Sequence, residues 1–222
     1  MSLKSFGCSF IFGTDLADHD RDLSVLTASD YTWPAHVSRH LGYDYKCYAW
    51  PGSGNLQILE RMLNQLPQSS SDDLFVIGWS WIDRFDYYDK ECFLKLKHWW
   101  STVMPNDETH EAKAYYKYLH SEYCDKLTCL TYIKSAIDAL DQQKIPFIMT
   151  YQDELLFDTR WHTSPAVQYL QNFVKPRMTM FDGHTFLDWS REQQYPESET
   201  WHPLEEAHAA AAELIIKSYN LI

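Results

Sequence analysis

The sequence predicts a three-layer α/β/α sandwich around a central parallel sheet. Three observations carry that reading. Strand-like and helix-like segments alternate along the 222 residues, a pattern that gathers parallel strands into one sheet with helices over both faces. The run Asp73 to Trp79 (DLFVIGW) is almost continuously apolar, as in a strand covered on both sides. Five of the seven glycines (Gly7, Gly13, Gly52, Gly54 and Gly78) fall in three short segments, each following a predicted strand. That is the edge of an open parallel sheet where ligands bind and where glycine allows close backbone approach. Turns require glycine anyway, so the argument rests on the clustering and not on any one position.

Residues 2–8 read as the first strand. Trp33, Val37 and Leu41 recur at helical spacing and give a helix over 33–41, followed by a strand over 43–48. Beyond Pro51-Gly52-Ser53-Gly54, the residues Leu56, Ile58, Leu59, Met62, Leu63 and Leu66 mark a helix that stops at Pro67. The strand 73–79 then lies at the centre of the sheet. Residues 85–125 break the rhythm with charged and aromatic residues around Trp99-Trp100 and Met104-Pro105-Asn106-Asp107. They are expected to form a helical insertion or cap on a single domain spanning 1–222. The alternation resumes with a helix over 126–143, a strand over 146–151, an irregular stretch, a short strand over 185–189 and a closing helix over 204–219.

Composition narrows the function. A formal net charge of −12 opposes binding to a phosphate backbone or an anionic membrane surface, so no nucleic-acid or membrane partner is expected. Five cysteines without a C-x-x-C pair fit a reducing compartment better than a disulfide framework. The N-terminus has no signal-peptide core, and no window approaches the ~20 apolar residues of a membrane span. A soluble, cytoplasmic protein is therefore expected.

The candidate chemistry lies at the two ends of the chain. Ser9 sits where the first strand ends, and a serine needs a base, itself oriented by an acceptor, to become a nucleophile. Glu199-Thr200-Trp201-His202-Pro203 offers both. The proline fixes His202 on a loop at the start of the last helix, and Glu199, three residues earlier, is within reach of the ring. Alone, either histidine or glutamate is as readily a solvated surface residue.

Taken together, four segments resemble the SGNH (GDSL-like) hydrolases, a flavodoxin-like α/β family of esterases, lipases and acetylesterases. Gly7-Cys8-Ser9-Phe10 with Gly13 looks like the first family block, Gly-Asp-Ser, with Cys8 in the aspartate slot. Ala49-Trp50-Pro51-Gly52-Ser53-Gly54-Asn55 resembles the second, Gly78-Trp79-Ser80-Trp81 stands in the place of the third (Gly-x-Asn-Asp), and Glu199 to Pro203 looks like the last, Asp-x-x-His. The resemblance implies a Ser9–His202–Glu199 triad, an oxyanion hole from the N–H groups of Ser9 and Gly52 and the hydroxyl of Ser80, and no metal or organic cofactor. It implies a small ester or an acylated carbohydrate as substrate. Ser80 replaces the family asparagine, and Glu199 is one methylene longer than the family aspartate. Loss of one oxyanion donor lowers turnover by about 10²–10³ in acyl hydrolases. The competing reading is therefore a glycan-binding module that kept the fold and lost the chemistry.

The other reactive residues divide between site and scaffold. Cys8 adjoins Ser9, but neighbours on a strand face opposite ways, so only one of them meets His202. His36 and His40 are one helical turn apart without an evident third ligand, and His202 and His208 are on different helix faces, so no metal site is expected. Asn55 and Arg84 are candidates for holding substrate, with a salt bridge to Asp83 or Asp86 as the alternative for Arg84. Tyr115, Tyr118 and Leu119 are spaced to pack against the domain.

Overall fold

A computed structural model describes residues 1–18, 27–89 and 100–220. Its order is β1 (Ser2–Phe6), α1 (Ser9–Phe12), α2 (Trp33–Leu41), β2 (Asp44–Cys47), α3 (Asn55–Gln65), β3 (Leu74–Trp79), β4 (Phe85–Tyr88), β5 (Trp100–Val103), α4 (His110–Tyr118), α5 (Glu122–Gln143), β6 (Phe147–Tyr151), α6 (Pro165–Val174), α7 (Phe186–Glu192) and α8 (Glu205–Ser218). Strands β2, β1, β3 and β6 lie side by side in that order, all parallel. This is the parallel sheet flanked by helices that the alternation predicts. Every residue of β1 and β3 is buried, as a strand covered on both faces must be.

One apolar layer packs α3, α5 and α6 against the sheet through residues such as Ile58, Met62, Ile133, Ile137 and Val167. The opposite layer is built by α1, α2, α7 and α8, with Trp33, Phe181, Phe186, Trp189 and Ala211. The chain goes from β1 outward to β2 and then crosses to β3 on the other side of β1, so the connections diverge between β1 and β3. In an open α/β sheet that switch point, at the carboxyl ends of the strands, is where a crevice forms.

Two glycines seat the first helical turn there. A Cβ on Gly7 would lie 2.5 Å from Ile11 Cγ1, and one on Gly78 would lie 2.6 Å from the same atom. The Ile11 side chain wedges between the ends of β1 and β3, and only two bare α-carbons leave room for it. Packing, rather than ligand approach, accounts for these two of the five clustered glycines.

Two segments differ from expectation. Residues 185–189, predicted as a strand, open helix α7. Thr185 Oγ1 accepts from the backbone N–H of Asp188 at 3.2 Å and donates to its carboxylate at 2.6 Å, a reciprocal N-cap that outweighs a short apolar run. The segment 85–125 carries helix α4 and also an antiparallel hairpin, β4–β5. The predicted aromatic centre is divided: Trp100 begins β5, whereas Trp99, with the rest of 90–99 and Cys92, lies outside the described residues. Helix α5 begins at Glu122 because Ser121 caps it. Tyr115 is buried and stacks on Phe85 with ring centroids 4.1 Å apart. Tyr118 and Leu119, expected to pack, are exposed.

Candidate active site

Strand β1 ends at Phe6, and Ser9 is the first residue of the single-turn helix α1. Gly13 closes that turn in the left-handed conformation, with φ of 85° and its N–H on the carbonyl of Ser9. Two residues on, Asp15 also takes a positive φ of 71°, which a short acidic side chain tolerates better than most. The turn brings the hydroxyl of residue 9 and the carboxylate of residue 15 to the same rim.

The other half of the site is a tight hairpin before α8. Glu197 and Pro203 pair across it. The N–H of Trp201 reaches the carbonyl of Ser198 at 3.0 Å, and the N–H of Ser198 reaches the carbonyl of His202 at 2.9 Å. The three-residue loop 199–201 ends on Trp201 at φ 70°, the position where such hairpins call for a left-handed residue. This geometry turns Ser198 and Thr200 toward Asp15 and leaves Glu199 exposed.

The two halves meet through His202. Ser9 Oγ is 2.9 Å from Nε2, and Asp15 Oδ2 is 3.0 Å from Nδ1. Thr200 Oγ1 lies 2.8 Å from Nδ1 and donates to Asp15 Oδ2, while Ser198 Oγ donates to the same carboxylate oxygen at 2.8 Å. Phe10 packs against the imidazole with centroids 5.1 Å apart. Burial raises the Asp15 carboxyl, but the hydrogen bonds from Thr200, Ser198 and His202 outweigh it and hold the pKa at about 2. Asp15 is thus a carboxylate throughout the neutral range.

Of the residues expected at the site, the structure brings Ser9 and His202 together and leaves Glu199 out. Cys8 is buried in the layer under α2 and α8, so Ser9 is the one of the pair that faces the histidine. The cleft over Ser9 has a volume of about 830 Å³ and is lined by Gly52, Trp81, Arg84 and Asn106 among others. The N–H groups of Ser9 and Gly52, the latter at φ 77°, take no protein acceptor among the described residues. Ser80 does not line this cleft: it is 2% exposed, and its hydroxyl has no partner among the described residues.

Asn55, expected at the substrate, is committed inward instead. Its Oδ1 accepts from the N–H of Ser80 at 2.7 Å, and its Nδ2 donates to the carbonyls of Ser80 and Trp81. It clamps the end of β3 to α3 and borders a neighbouring cavity of about 500 Å³. Gly54 is likewise structural. Its N–H and that of Gln57 donate to the Asp86 carboxylate at 3.0 Å each, and a Cβ on Gly54 would lie 2.6 Å from both carboxylate oxygens. The acid sits at the start of α3, where it complements the helix dipole. Arg84 does line the cleft, with its guanidinium 4.8 Å over the Trp81 ring and one N–H on the carbonyl of Ser53.

His208, on α8, is fully buried, and its Nδ1 accepts from the N–H of Trp33 at 3.1 Å. Burial, then the proximity of His36 and His202, lowers its pKa to about 3. It is a neutral core histidine. Among the described residues no three His, Cys, Asp or Glu side chains converge as metal ligands, and no helix is long and apolar enough to cross a membrane.

No family model matches the sequence, and no curated protein sequence is significantly similar to it. Solved structures are similar in fold. A member of the lipolytic protein G-D-S-L family from Veillonella parvula DSM 2008 superposes with a TM-score of 0.55 at 10% identity, over 100% of both chains. The psychrotrophic esterase EstA from Pseudoalteromonas sp. gives 0.52 at 9% identity, over 99% of this chain and 96% of the other. A carbohydrate esterase family 2 enzyme from Corynascus thermopiles gives 0.52 at 15% identity, over 98% of this chain and 64% of the other. The chain has the fold of the SGNH hydrolases.

Proposed function

We propose that this chain, built on the SGNH hydrolase fold, is a serine esterase in which Ser9, His202 and Asp15 form the catalytic triad and a small ester or an acylated carbohydrate is the substrate. The observation that carries the reading is the unbroken line of hydrogen bonds from the Ser9 hydroxyl through His202 to Asp15. His202 Nε2 takes the Ser9 proton as Oγ attacks the ester carbonyl. The Nδ1–H directed at Asp15 stabilises the imidazolium that forms. The negative charge on the carbonyl oxygen is met by the N–H groups of Ser9 and Gly52. His202 then protonates the leaving alcohol, and the acyl group stays on Ser9 until water, activated by the same imidazole, releases it as the acid.

Ser80 has no part in this scheme, and Glu199 is replaced by Asp15. Arg84 is retained as a substrate-side residue, because it lines the cleft with Ser9. The test is hydrolysis of p-nitrophenyl acetate together with labelling by a fluorophosphonate. Both are expected of the wild type and both are lost in Ser9→Ala. Undiminished hydrolysis by that variant would remove Ser9 from the mechanism.

The displaced Ser80 hydroxyl favours a second reading, a glycan-binding cleft without turnover. A carbohydrate esterase of similar fold, at a TM-score of 0.53 and 14% identity over 99% of this chain and 68% of the other, is described as having divergent catalytic and non-catalytic binding functions. Absence of turnover across a panel of acetyl and short-chain esters, with fluorophosphonate labelling also absent, would favour it.

A further inference from the structure

Trp201 combines three features that nothing in the triad requires. It is 65% exposed, it borders the cleft that holds Ser9, and its backbone stands at φ 70°. The hairpin needs a left-handed residue at this position, which glycine or asparagine fills without strain. A bulky aromatic residue there is a true conformational outlier, and such strain gathers at functional sites.

The ring is also held in place. The Arg191 guanidinium lies 5.6 Å from the ring centroid. Arg191 is itself fixed by two hydrogen bonds to Glu197, at 2.8 and 3.1 Å. Glu197 is on the same hairpin, paired with Pro203. A cation that a carboxylate pins down therefore holds the indole at the cleft, which Arg191 also lines, while most of Trp201 stays open to solvent.

We infer that Trp201 is the platform of a sugar-binding subsite at the rim of the Ser9 cleft beside His202, a proposal that rests on the esterase reading for the identity of the bound glycan as substrate. An exposed aromatic face carries a partial negative charge. The C–H face of a pyranose is apolar and slightly positive, and its edges carry hydroxyls. Hydrogen-bonding side chains line the same cleft as the platform: Asn106, Arg84 and Arg191. A long acyl chain would require the opposite surroundings, an enclosed apolar wall on every side.

Binding is read on the Ser9→Ala protein, so that turnover does not enter. Acetylated xylohexaose, cellohexaose and mannohexaose are titrated by calorimetry against that protein and against the same protein carrying Trp201→Gly or Trp201→Phe. The Gly substitution removes the ring at a position whose φ glycine adopts freely, so the fold is retained, which a melting curve checks. We expect at least one of the three glycans to bind, Trp201→Gly to weaken it about tenfold or more, and Trp201→Phe to keep most of the affinity. Failure of all three to bind, or equal affinity in Trp201→Gly, overturns the subsite. The esterase reading stands or falls separately, on p-nitrophenyl acetate turnover by the wild type. Glycan binding through Trp201 without turnover would leave the subsite and remove the enzyme.

Discussion

The sharpest prediction concerns which carboxylate serves His202. Asp15 Oδ2 receives hydrogen bonds from Ser198, Thr200 and the His202 ring, in a side chain only 8% exposed. Depression of its pKa from the ordinary 3.8 to about 2 corresponds to about 2 kcal/mol of stabilisation of the charged form. Asp15→Asn keeps the shape and removes the charge that faces the imidazolium in the transition state. If the amide also turns its NH₂ toward Nδ1, the hydrogen moves to Nε2, and the ring no longer accepts from Ser9. The expected loss in kcat is about 10²- to 10⁴-fold, or roughly 3–5 kcal/mol of barrier. Glu199→Gln changes an exposed group that has no place in the hydrogen-bond line, and its kcat is expected to stay within about threefold of wild type. The assay is p-nitrophenyl acetate hydrolysis with active sites counted by fluorophosphonate labelling. Near wild-type turnover in Asp15→Asn, or an equal loss in Glu199→Gln, would refute the reasoning.

Three further outcomes follow from the same geometry. Because the folded pKa of Asp15 is depressed, its stabilisation is present above about pH 4 and disappears as pH falls toward 2, so the stability gap between wild type and Asp15→Asn should narrow by about 2 kcal/mol over that range; a gap independent of pH in denaturant melts would contradict this. Gly78→Ala places a Cβ 2.6 Å from Ile11 Cγ1 and should destabilise by about 1–3 kcal/mol. Combined with Ile11→Ala, the loss should be less than the sum of the two single changes, and strict additivity would argue against the wedge. Ser80→Asn, which restores the family residue, is expected to lower stability by about 1–3 kcal/mol through overpacking, without raising kcat. A tenfold gain in turnover would mean that residue 80 reaches the oxyanion after all.

The sheet was legible because its signals are local and redundant. The run 74–79 is apolar on both faces, and the helix over 33–41 has its stripe, its proline at the first turn and Gly42 as a left-handed cap. What failed was context. At 185–189 the apolar residues are as compatible with helix as with strand, and the Thr185–Asp188 capping pair decided the matter. In 85–125 the pairing of Phe85–Tyr88 with Trp100–Val103 is a contact across an intervening segment, which charge and aromatic content do not encode. The glycines showed where the crevice lies, but not which of them serves it. Gly7 and Gly78 admit Ile11, Gly54 admits Asp86, and only Gly52 lines the cleft.

Glu199 lies away from His202 for a physical reason that also says how the hydrogen-bonded cluster is assembled. Spacing places a carboxylate three residues before the histidine, but spacing does not specify how the hairpin turns. With Trp201 left-handed, the Ser198 and Thr200 hydroxyls turn to the Asp15 carboxylate and Glu199 turns away, exposed. The turn closed by Gly13 gives those two hydroxyls a common acceptor in Asp15, six residues beyond Ser9. Ser9 and Asp15 therefore belong to one short segment, and the hairpin brings His202. A single long-range event, docking of 196–204 onto 9–15, makes the Ser9–His202 bond and all three hydrogen bonds to Asp15 at once. Local opening of that hairpin, a low-energy motion for a surface loop, would break the whole Ser9–His202–Asp15 hydrogen-bond line while leaving the sheet intact. Removing the Ser198 hydroxyl, which accepts from the N–H groups of Thr200 and His202 as well as donating to Asp15, should accordingly reduce activity with little change in the global melting transition.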